Sequence, residues 1–196
     1  MSSTGVAADT PRLRLVPLNL TDVDAACAAL SDPAVYAFIP EDPPCDAAAL
    51  GRRWARYLRG PADESADEQW LNATVWTRSP SQVIGTVQAT VHPARRTADI
   101  AYLLGSAFWG CGYGTEAVAA LVAWLWHHTE VARIEATLDV RNVPSRRLLE
   151  RLGFARVAFL PQADFFKGAA SHEYRYALTR VSDGPRRAVP LAEEDD

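Results

Sequence analysis

The segment FWGCGYGTE, from Phe108 to Glu116, decides how the rest of the chain is interpreted. It lies between a strand-like apolar run, ADIAYLL, and a helix-like run, AVAALVAWLW. Gly110, Gly112 and Gly114 allow backbone angles closed to other residues and keep side chains away from a ligand. Their amides would meet at a helix N-terminus, where partial positive charge favours anions. Hydrogen bonds to a charged acceptor, at about 1.5 to 3 kcal/mol each, would anchor a diphosphate there without a lysine.

Two common phosphate-binding motifs fit this segment poorly. A P-loop ends in Gly-Lys-Ser/Thr, whereas the only lysine of the chain is Lys167, far downstream. A Rossmann fingerprint needs glycine or alanine where Thr115 stands, and it follows the first strand instead of lying in mid-chain. On this segment alone, a strand-to-helix turn without any ligand stays an open alternative.

The composition is that of one globular domain with polar ends. The chain has 196 residues, of which 48% are hydrophobic and 22% charged, enough to bury a substantial core. We expect a single domain over residues 11–181. Residues 1–10 favour a flexible N-terminal tail, and the polar, acidic stretch 182–196 favours a disordered C-terminal tail.

Charge and cysteine content exclude several classes of protein. A net charge of −4 argues against a nucleic-acid partner, which would require a basic face. There is neither a long apolar run nor a leader peptide, so we expect no membrane partner and a cytoplasmic location. Cys27, Cys45 and Cys111 are odd in number and scattered, and the four histidines lack ligand spacing, so neither disulfides nor a metal site is expected.

Hydrophobic periodicity predicts about seven strands and four helices in the order β-α-α-β-β-β-α-β-α-β-β. The predicted strands cover residues 12–18, 70–77, 82–91, 98–104, 133–140, 154–160 and 172–179. The predicted helices cover residues 22–30, 46–58, 115–128 and 144–152. Thr21 or Asp22 is expected to cap the first helix, and Asn142 the last, which Gly153 ends at a C′ position.

This order, together with three motifs, resembles the Gcn5-related N-acetyltransferase (GNAT) superfamily, and most closely its RimJ/RimL branch. The motifs are ADIAYLL at 98–104, WGCGYGTEAV at 109–118 and RNVPSRRLLERLGF at 141–154. The resemblance implies an α+β (mixed α/β) fold with a mostly antiparallel twisted sheet, flanked by about four helices. It further implies that the fourth and fifth strands splay apart, with acetyl-CoA in the gap.

The resemblance assigns cofactor roles to particular residues. The main chain of 102–104 would pair with the pantetheine arm, and the amides of 109–115 would hold the pyrophosphate. The resulting set is Tyr102, Leu103, Leu104, Trp109, Gly110, Cys111, Gly112, Tyr113, Gly114, Thr115, Asn142 and Arg147. Arg146 and Arg151 would either join Arg147 at the adenosine phosphates or form a solvated face.

The catalytic residues implied by the resemblance are Ser145, Asn142 and Asp99. Many superfamily members place a tyrosine acid where this chain has Leu149, so we expect the Ser145 hydroxyl to protonate the leaving thiolate instead. Asp99, together with His172 or Asp164, is the expected base.

These assignments predict direct N-acetylation of a primary amine. The candidate acceptors are a protein N-terminus, a polyamine and an amine antibiotic. We expect the loops at 39–44 and 61–69 to line the acceptor side, where the acids of the second loop would favour a cation. A catalytically silent acyl-CoA sensor and an NAD-type oxidoreductase are the alternatives, and a homodimer is left open.

Overall fold

The computed structural model describes residues 5–61 and 67–180. Within these ranges the chain forms a mixed α/β fold with an eight-stranded sheet and four α-helices. The strands are β1 (Ala8–Asp9), β2 (Leu13–Pro17), β3 (Gln69–Arg78), β4 (Ser81–His92), β5 (Thr97–Leu104), β6 (Arg133–Asp139), β7 (Ala155–Phe166) and β8 (Ala169–Thr179). The helices are α1 (Val23–Leu30), α2 (Ala47–Arg59), α3 (Tyr113–His128) and α4 (Val143–Arg151).

The sheet opens between β5 and β6. Its order is β1-β2-β3-β4-β5-β6-β8-β7, and every neighbouring pair except β5 with β6 is antiparallel. The parallel pair is joined only where Thr97–Asp99 faces Arg133–Glu135. Beyond that point the two strands separate, which leaves one backbone edge of β5 without a strand partner among the described residues. The predicted sheet, splayed between its central strands, is confirmed.

The main core lies where α3 packs against the sheet. The buried residues of α3 are Ala117, Val118, Leu121, Val122 and Leu125. They belong to one cluster with apolar residues from both halves of the sheet, including Ile84, Ile134 and Tyr176. Since α3 follows β5 along the chain, this packing fixes the glycine segment beside the open gap.

A smaller core joins α1 and α2 to the sheet. Its buried members are Leu18, Val23, Ala26, Leu50, Trp54 and Val83. Asp46 begins α2 by accepting a hydrogen bond from the amide of Ala49 at 2.6 Å, a side-chain cap that compensates one free amide of the first turn. The two helices thereby form a wall across the gap from β6. No helix in the described ranges has the length and apolarity needed to cross a membrane.

The last hairpin is longer than its sequence pattern indicates. We predicted strands at 154–160 and 172–179, whereas β7 and β8 run on to a turn at Lys167 and Gly168. Most of β7 is exposed at the sheet edge, so the alternation that signals a half-buried strand is missing there.

Two expectations for the N-terminal region also need correction. Within the predicted tail 1–10, Ala8 and Asp9 pair with β2 as a short edge strand. Asp22 precedes α1 but makes no side-chain cap bond, and Asn19 caps the short turn before it by accepting from Thr21 N at 3.0 Å. The predicted tail at 182–196 lies outside the described residues.

Candidate active site

The glycine segment forms an open turn into α3. Gly110 and Gly112 have φ of +75° and +79°, in the left-handed region that favours glycine. Gly112 is the N-cap residue of α3, and no side chain caps the helix there. The first intrahelical bond runs from Glu116 N to Gly112 O, so the amides of 113–115 have no acceptor within the described chain. Free amides at a helix N-terminus favour the binding of an anion.

A groove of about 390 Å³ runs beside this turn. Gly110, Gly112 and Gly114 line it, and a Cβ added to Gly110 would have nothing within 4 Å, so part of the wall is bare backbone. Arg147 and Arg151 line the opposite side from α4. Uncapped amides and two guanidinium groups suit phosphates, so the residues present fit the phosphate groups of coenzyme A.

The three arginines of α4 differ in whether they line the groove. Arg147 and Arg151 face the groove, and Arg151 Nη1 lies 3.4 Å from Thr115 Oγ1 in the first turn of α3. Arg146 lies instead 3.8 Å from Glu150, in a pair one helical turn apart. Arg146 thus lies away from the groove, and the other two are placed to meet a phosphate.

The N-terminal segment holds the glycine turn from outside the groove. Glu116 accepts from Arg12 Nε at 2.6 Å, from Arg12 N at 3.0 Å and from Thr10 Oγ1 at 2.5 Å. Arg12 Nη1 also donates to Cys111 O at 2.9 Å, and its guanidinium lies 4.7 Å from the centre of the Tyr113 ring. Although partial burial raises the pKa of Glu116, these hydrogen bonds outweigh it and hold the pKa below its usual range. Glu116, in the first turn of α3, thereby joins the N-terminal segment to the glycine turn.

The free edge of β5 borders the groove, but not all of it is open. Leu103 and Leu104 lie beyond the last residue that pairs with β6. The carbonyl of Leu104 already accepts the indole Nε1 of Trp109 at 2.8 Å. The predicted pairing with a pantetheine arm is therefore geometrically open at Tyr102 and occupied at the Leu104 carbonyl, whereas the main chain of Leu103 faces β4, where its carbonyl lies beside Gly85.

Asn142 and Ser145 lie at the start of α4, just after β6. Asn142 caps α4, as predicted, and its Oδ1 accepts from Ser145 N at 3.1 Å. Ser145 Oγ lies 2.6 Å from the hydroxyl of Tyr102. Burial raises the pKa of Tyr102 to about 12, although the bond to Ser145 acts in the opposite direction. The phenol stays protonated at neutral pH, so it can donate to Ser145 and leave the serine proton free for another acceptor.

A second cavity, of about 280 Å³, lies on the other side of this pair. Its walls come from α1, α2, the turn at 36–41, and the strands β4, β5, β6 and β8. Lys167 holds the turn in place by donating to the carbonyls of Ile39 and Glu41 at 2.7 and 3.0 Å. Tyr102, Asn142 and Ser145 line both the cavity and the groove, so the two spaces meet at these residues.

Two carboxylates with different environments line this cavity. Hydrogen bonds from the Arg141 guanidinium lower the pKa of Asp139 to about 2, helped by Ser171, whose hydroxyl donates at 2.8 Å. Burial raises the pKa of Glu173, and the charges of Asp164 and Asp139 add to the rise. A desolvated carboxylate with a raised pKa in a cleft is a typical acid–base candidate.

Asp99, the predicted base, does not line either cavity. Its carboxylate is exposed and lies 3.0 Å from His92 Nε2, while His92 Nδ1 is 3.7 Å from Glu68. The geometry therefore does not support Asp99 as the base. His172 accepts from Gln162 N at 3.2 Å, and Asp164 bonds to Phe165 N at 2.7 Å; neither borders the cavity.

The described acids of the loop at 61–69 are not where we expected them. Asp67 accepts from Ala94 N at 2.8 Å, and Glu68 lies beside His92, so both described acids belong to the far end of β4. Asp63 and Glu64 lie outside the described residues. The loop at 39–44 is placed as expected, since Ile39, Pro40 and Glu41 line the cavity.

Cys111 and Tyr113 face away from the groove. Cys111 is exposed, with its Sγ 3.5 Å from Trp109 O. Tyr113 packs beneath Arg12 and against the main core. Any contact of these two residues with a phosphate would therefore be made by their amides.

A sheet opened between parallel central strands, with a glycine-rich anion turn on one side of the gap and a partly open cavity on the other, is an arrangement that suits an acyl-CoA-dependent acyltransferase. Residues 12–155 match the model of the Acetyltransferase (GNAT) domain. The chain belongs to this family: it is a GNAT N-acetyltransferase, and its acetyl donor is acetyl-CoA.

Individual relatives agree with this assignment. The chain is 29% identical over 172 residues to the N-acetyltransferase p20 of Bacillus licheniformis, covering 87% of this chain and 94% of the relative. An acetyltransferase of the GNAT family from Bacillus anthracis has a TM-score of 0.76 at 20% identity, over 89% of this chain and 98% of that one. RimL, described as a ribosomal L7/L12 alpha-N-protein acetyltransferase in complex with coenzyme A, has a TM-score of 0.76 at 17% identity, over 87% and 95% of the two chains.

Two residues of the site were missed by sequence reasoning. The alternation in ADIAYLL places Tyr102 on the face of Ile100 and Leu104, and it was considered only for its main chain. Glu173 stands in a predicted strand between polar neighbours and resembles a surface residue. A carboxylate between apolar strand residues would have indicated a buried acid. The sequence around Glu173, SHEY, has no such apolar neighbours.

Proposed function

We propose that this protein transfers the acetyl group of acetyl-CoA directly to a primary α-amine bound in the 280 Å³ cavity. The observation that carries this proposal is the meeting of the two spaces at Tyr102, Asn142 and Ser145. A thioester entering from the groove and an amine entering from the cavity would come together there. When bound, acetyl-CoA supplies an electrophilic acetyl carbon and a sulfur leaving group.

Glu173 is the base in this proposal. Deprotonation of an α-amine with a pKa near 7.8 costs about 1 kcal/mol at pH 7, whereas a lysine-like amine near 10.4 costs about 4.6 kcal/mol. A carboxylate whose pKa is raised only by burial and neighbouring charge is adequate for the first amine and weak for the second. Glu173 accepts the amine proton, directly or through one water, before the nitrogen forms the new amide bond.

Ser145 is the hydrogen-bond donor to the sulfur in this proposal. With acetyl-CoA bound, the Ser145 hydroxyl would donate a hydrogen bond to the sulfur as it takes negative charge, while accepting one from Tyr102. The proton that the free thiol finally carries would be the one that the attacking nitrogen loses as the amide forms. Coenzyme A is a thiol with a pKa near 8.5, so its sulfur leaves with modest help. Tyr102 therefore supplies, from β5, the phenol that Leu149 does not supply from α4.

The amides at 113–115, with Arg147 and Arg151, hold the phosphates of the donor. Asn142 has a positioning role in this scheme, because its side chain orients the first turn of α4 and with it Ser145. The description of RimL as an alpha-N-protein acetyltransferase is consistent with an α-amine acceptor.

A panel of amines tests the proposal through the release of free thiol from acetyl-CoA at pH 7. Amino acids and peptides with a free N-terminus should be acetylated. N-terminally blocked peptides that contain lysine, polyamines and aminoglycosides should react at least tenfold more slowly, given the cost of deprotonating their amines. Equal or faster turnover of the lysine peptides would refute the α-amine assignment.

A further inference from the structure

Two residues with donor groups line the acceptor cavity, and neither group has an anionic partner among the described residues. These groups are the hydroxyl of Tyr36, which follows α1, and the guanidinium of Arg53 on α2. Both residues line the same cavity as Glu173 and Ser145.

Tyr36 is the more informative of the two. Its side chain is 1% exposed, and its hydroxyl has no hydrogen-bond partner among the described residues. Burial raises the pKa of Tyr36, although the Arg53 guanidinium beside it acts in the opposite direction, so the hydroxyl remains a donor at neutral pH. Arg53 can only donate to the Tyr36 oxygen, so the hydroxyl proton still has no acceptor. Burying an unpaired hydroxyl destabilises a fold, and most buried polar groups are paired. An unpaired donor that borders a cavity therefore indicates a ligand that accepts from it.

Arg53 supplies positive charge at the same place. Its guanidinium carbon lies 5.9 Å from the centre of the Tyr36 ring, and one amino group donates to the carbonyl of Asp42 at 2.9 Å. No described carboxylate lies within ion-pair distance of it, although Glu41 lines the same cavity. Its remaining donors can take part in a charge-assisted bond.

We propose, on the basis of the function proposed above, that Tyr36 and Arg53 bind a carboxylate of the acceptor itself. The acceptor is then an α-amine on a molecule that also carries a carboxylate, with its body lying along the aromatic wall formed by Phe38, Trp54 and Tyr57. The amine faces Glu173 and the carboxylate faces the two donors. A free amino acid and a polypeptide that begins with an acidic residue both have this chemistry.

This arrangement disfavours a polycation. Arg53 would repel a second ammonium group, and the described acids of the loop before β3 lie elsewhere. Asp139 is neutralised by Arg141. A cavity of about 280 Å³ is at the small end of ligand sites, so it accommodates one residue or a small molecule and not a folded surface loop.

The first test compares carboxylates with their carboxamides. In acetyl-transfer assays, free phenylalanine is paired with its carboxamide, phenylalaninamide, and a peptide that begins with glutamate with one that begins with glutamine. Phenylacetate and phenylacetamide, which lack an amine, are compared by binding alone. We expect the wild-type protein to prefer the carboxylate about tenfold or more in at least one acetyl-transfer pair, and in the binding pair. A preference in the free amino-acid pair would indicate a free amino acid as the acceptor, and a preference in the peptide pair would indicate the N-terminal residue of a polypeptide.

Substitutions of Tyr36 and Arg53 test whether these two residues cause the preference for the carboxylate. Tyr36→Phe removes only the unpaired hydroxyl, and Arg53→Gln removes the charge; each should reduce the carboxylate preference about tenfold. Tyr174→Phe removes a hydroxyl outside both cavities and should keep the wild-type preference. Tyr36→Phe should not lower the melting temperature, because the hydroxyl has no partner to lose. A marked drop would mean that it is paired in the free protein, and would overturn the proposal.

The outcomes separate the two proposals. A wild-type protein that binds phenylacetate and its amide equally, or variants that keep the carboxylate preference, would overturn the carboxylate site even if α-amines are acetylated. Retained carboxylate binding without acetylation of any α-amine would overturn the proposed function and leave the binding site supported.

Discussion

Removing the hydroxyl of Ser145 should slow acetyl transfer without abolishing it. The serine proton would otherwise stabilise negative charge developing on sulfur, and a hydrogen bond to a charged group contributes about 1.5 to 3 kcal/mol. This corresponds to a fall in kcat of about 10- to 150-fold for Ser145→Ala. Tyr102→Phe should cause a fall of similar size, because the phenol acts on sulfur only through Ser145, at 2.6 Å.

The double variant distinguishes a relay from two independent effects. If Tyr102 works through Ser145, Ser145→Ala/Tyr102→Phe should be no slower than Ser145→Ala alone. Unfolding provides an independent readout: Ser145→Ala leaves the buried Tyr102 hydroxyl without its partner, which costs about 1 to 3 kcal/mol, and the second substitution should recover much of that loss.

These rates are measured by following the release of free thiol at saturating acetyl-CoA while the concentration of the amine is varied. Tyr174→Phe, on β8 and outside both cavities, is the matched control and should keep the wild-type kcat. An unchanged kcat in Ser145→Ala would remove Ser145 as the donor to sulfur. Multiplicative losses in the double variant would refute the relay and leave two separate contributions.

Three further predictions concern the base, the loop clamp and the glycine turn. A base must be unprotonated, so kcat/KM should fall as the pH drops through the raised pKa of Glu173. Glu173→Gln should lower activity and abolish this fall at low pH, whereas Asp99→Asn should keep both. If Asp99→Asn abolished the fall and Glu173→Gln kept it, Asp99 would be the base. Arg12→Ala and Glu116→Gln should each raise KM for acetyl-CoA severalfold, with kcat nearly unchanged, since they loosen the turn that holds phosphate; an unaltered KM in both would show that the clamp is only structural. Gly112→Val introduces a branched residue at φ of +79°, and coenzyme A should then no longer raise the melting temperature; a wild-type shift would contradict the phosphate turn.

The parts of the molecule that were predicted correctly depend on local patterns. Alternating glycines before an apolar helix indicate a turn with free amides, and Asn142 three residues before Ser145 indicates a cap; the structure has both. Both features are set by backbone geometry within a few residues, so the sequence carries them directly.

The parts that could not be predicted depend on contacts between distant strands. Tyr102 reaches Ser145 only because β5 and α4 meet across the open gap, and nothing in either segment specifies that distance. The raised pKa of Glu173 results from burial, which its polar neighbours in sequence do not suggest. Asp99 lies beside His92 and lines neither cavity, and its strand position alone does not reveal this bond.

Internal competition within one peptide tests the central claim most directly. A peptide with a free N-terminal glutamate and an internal lysine is incubated with the protein and acetyl-CoA at pH 7, and fragment masses locate the added acetyl group. The account predicts acetylation of the α-amine, with one free thiol released per acetyl group and the lysine left unmodified. Acetylation at the lysine would contradict the choice of amine. No acetylation of this or any other amine, while acetyl-CoA still raises the melting temperature, would instead indicate a cofactor-binding protein without transfer activity.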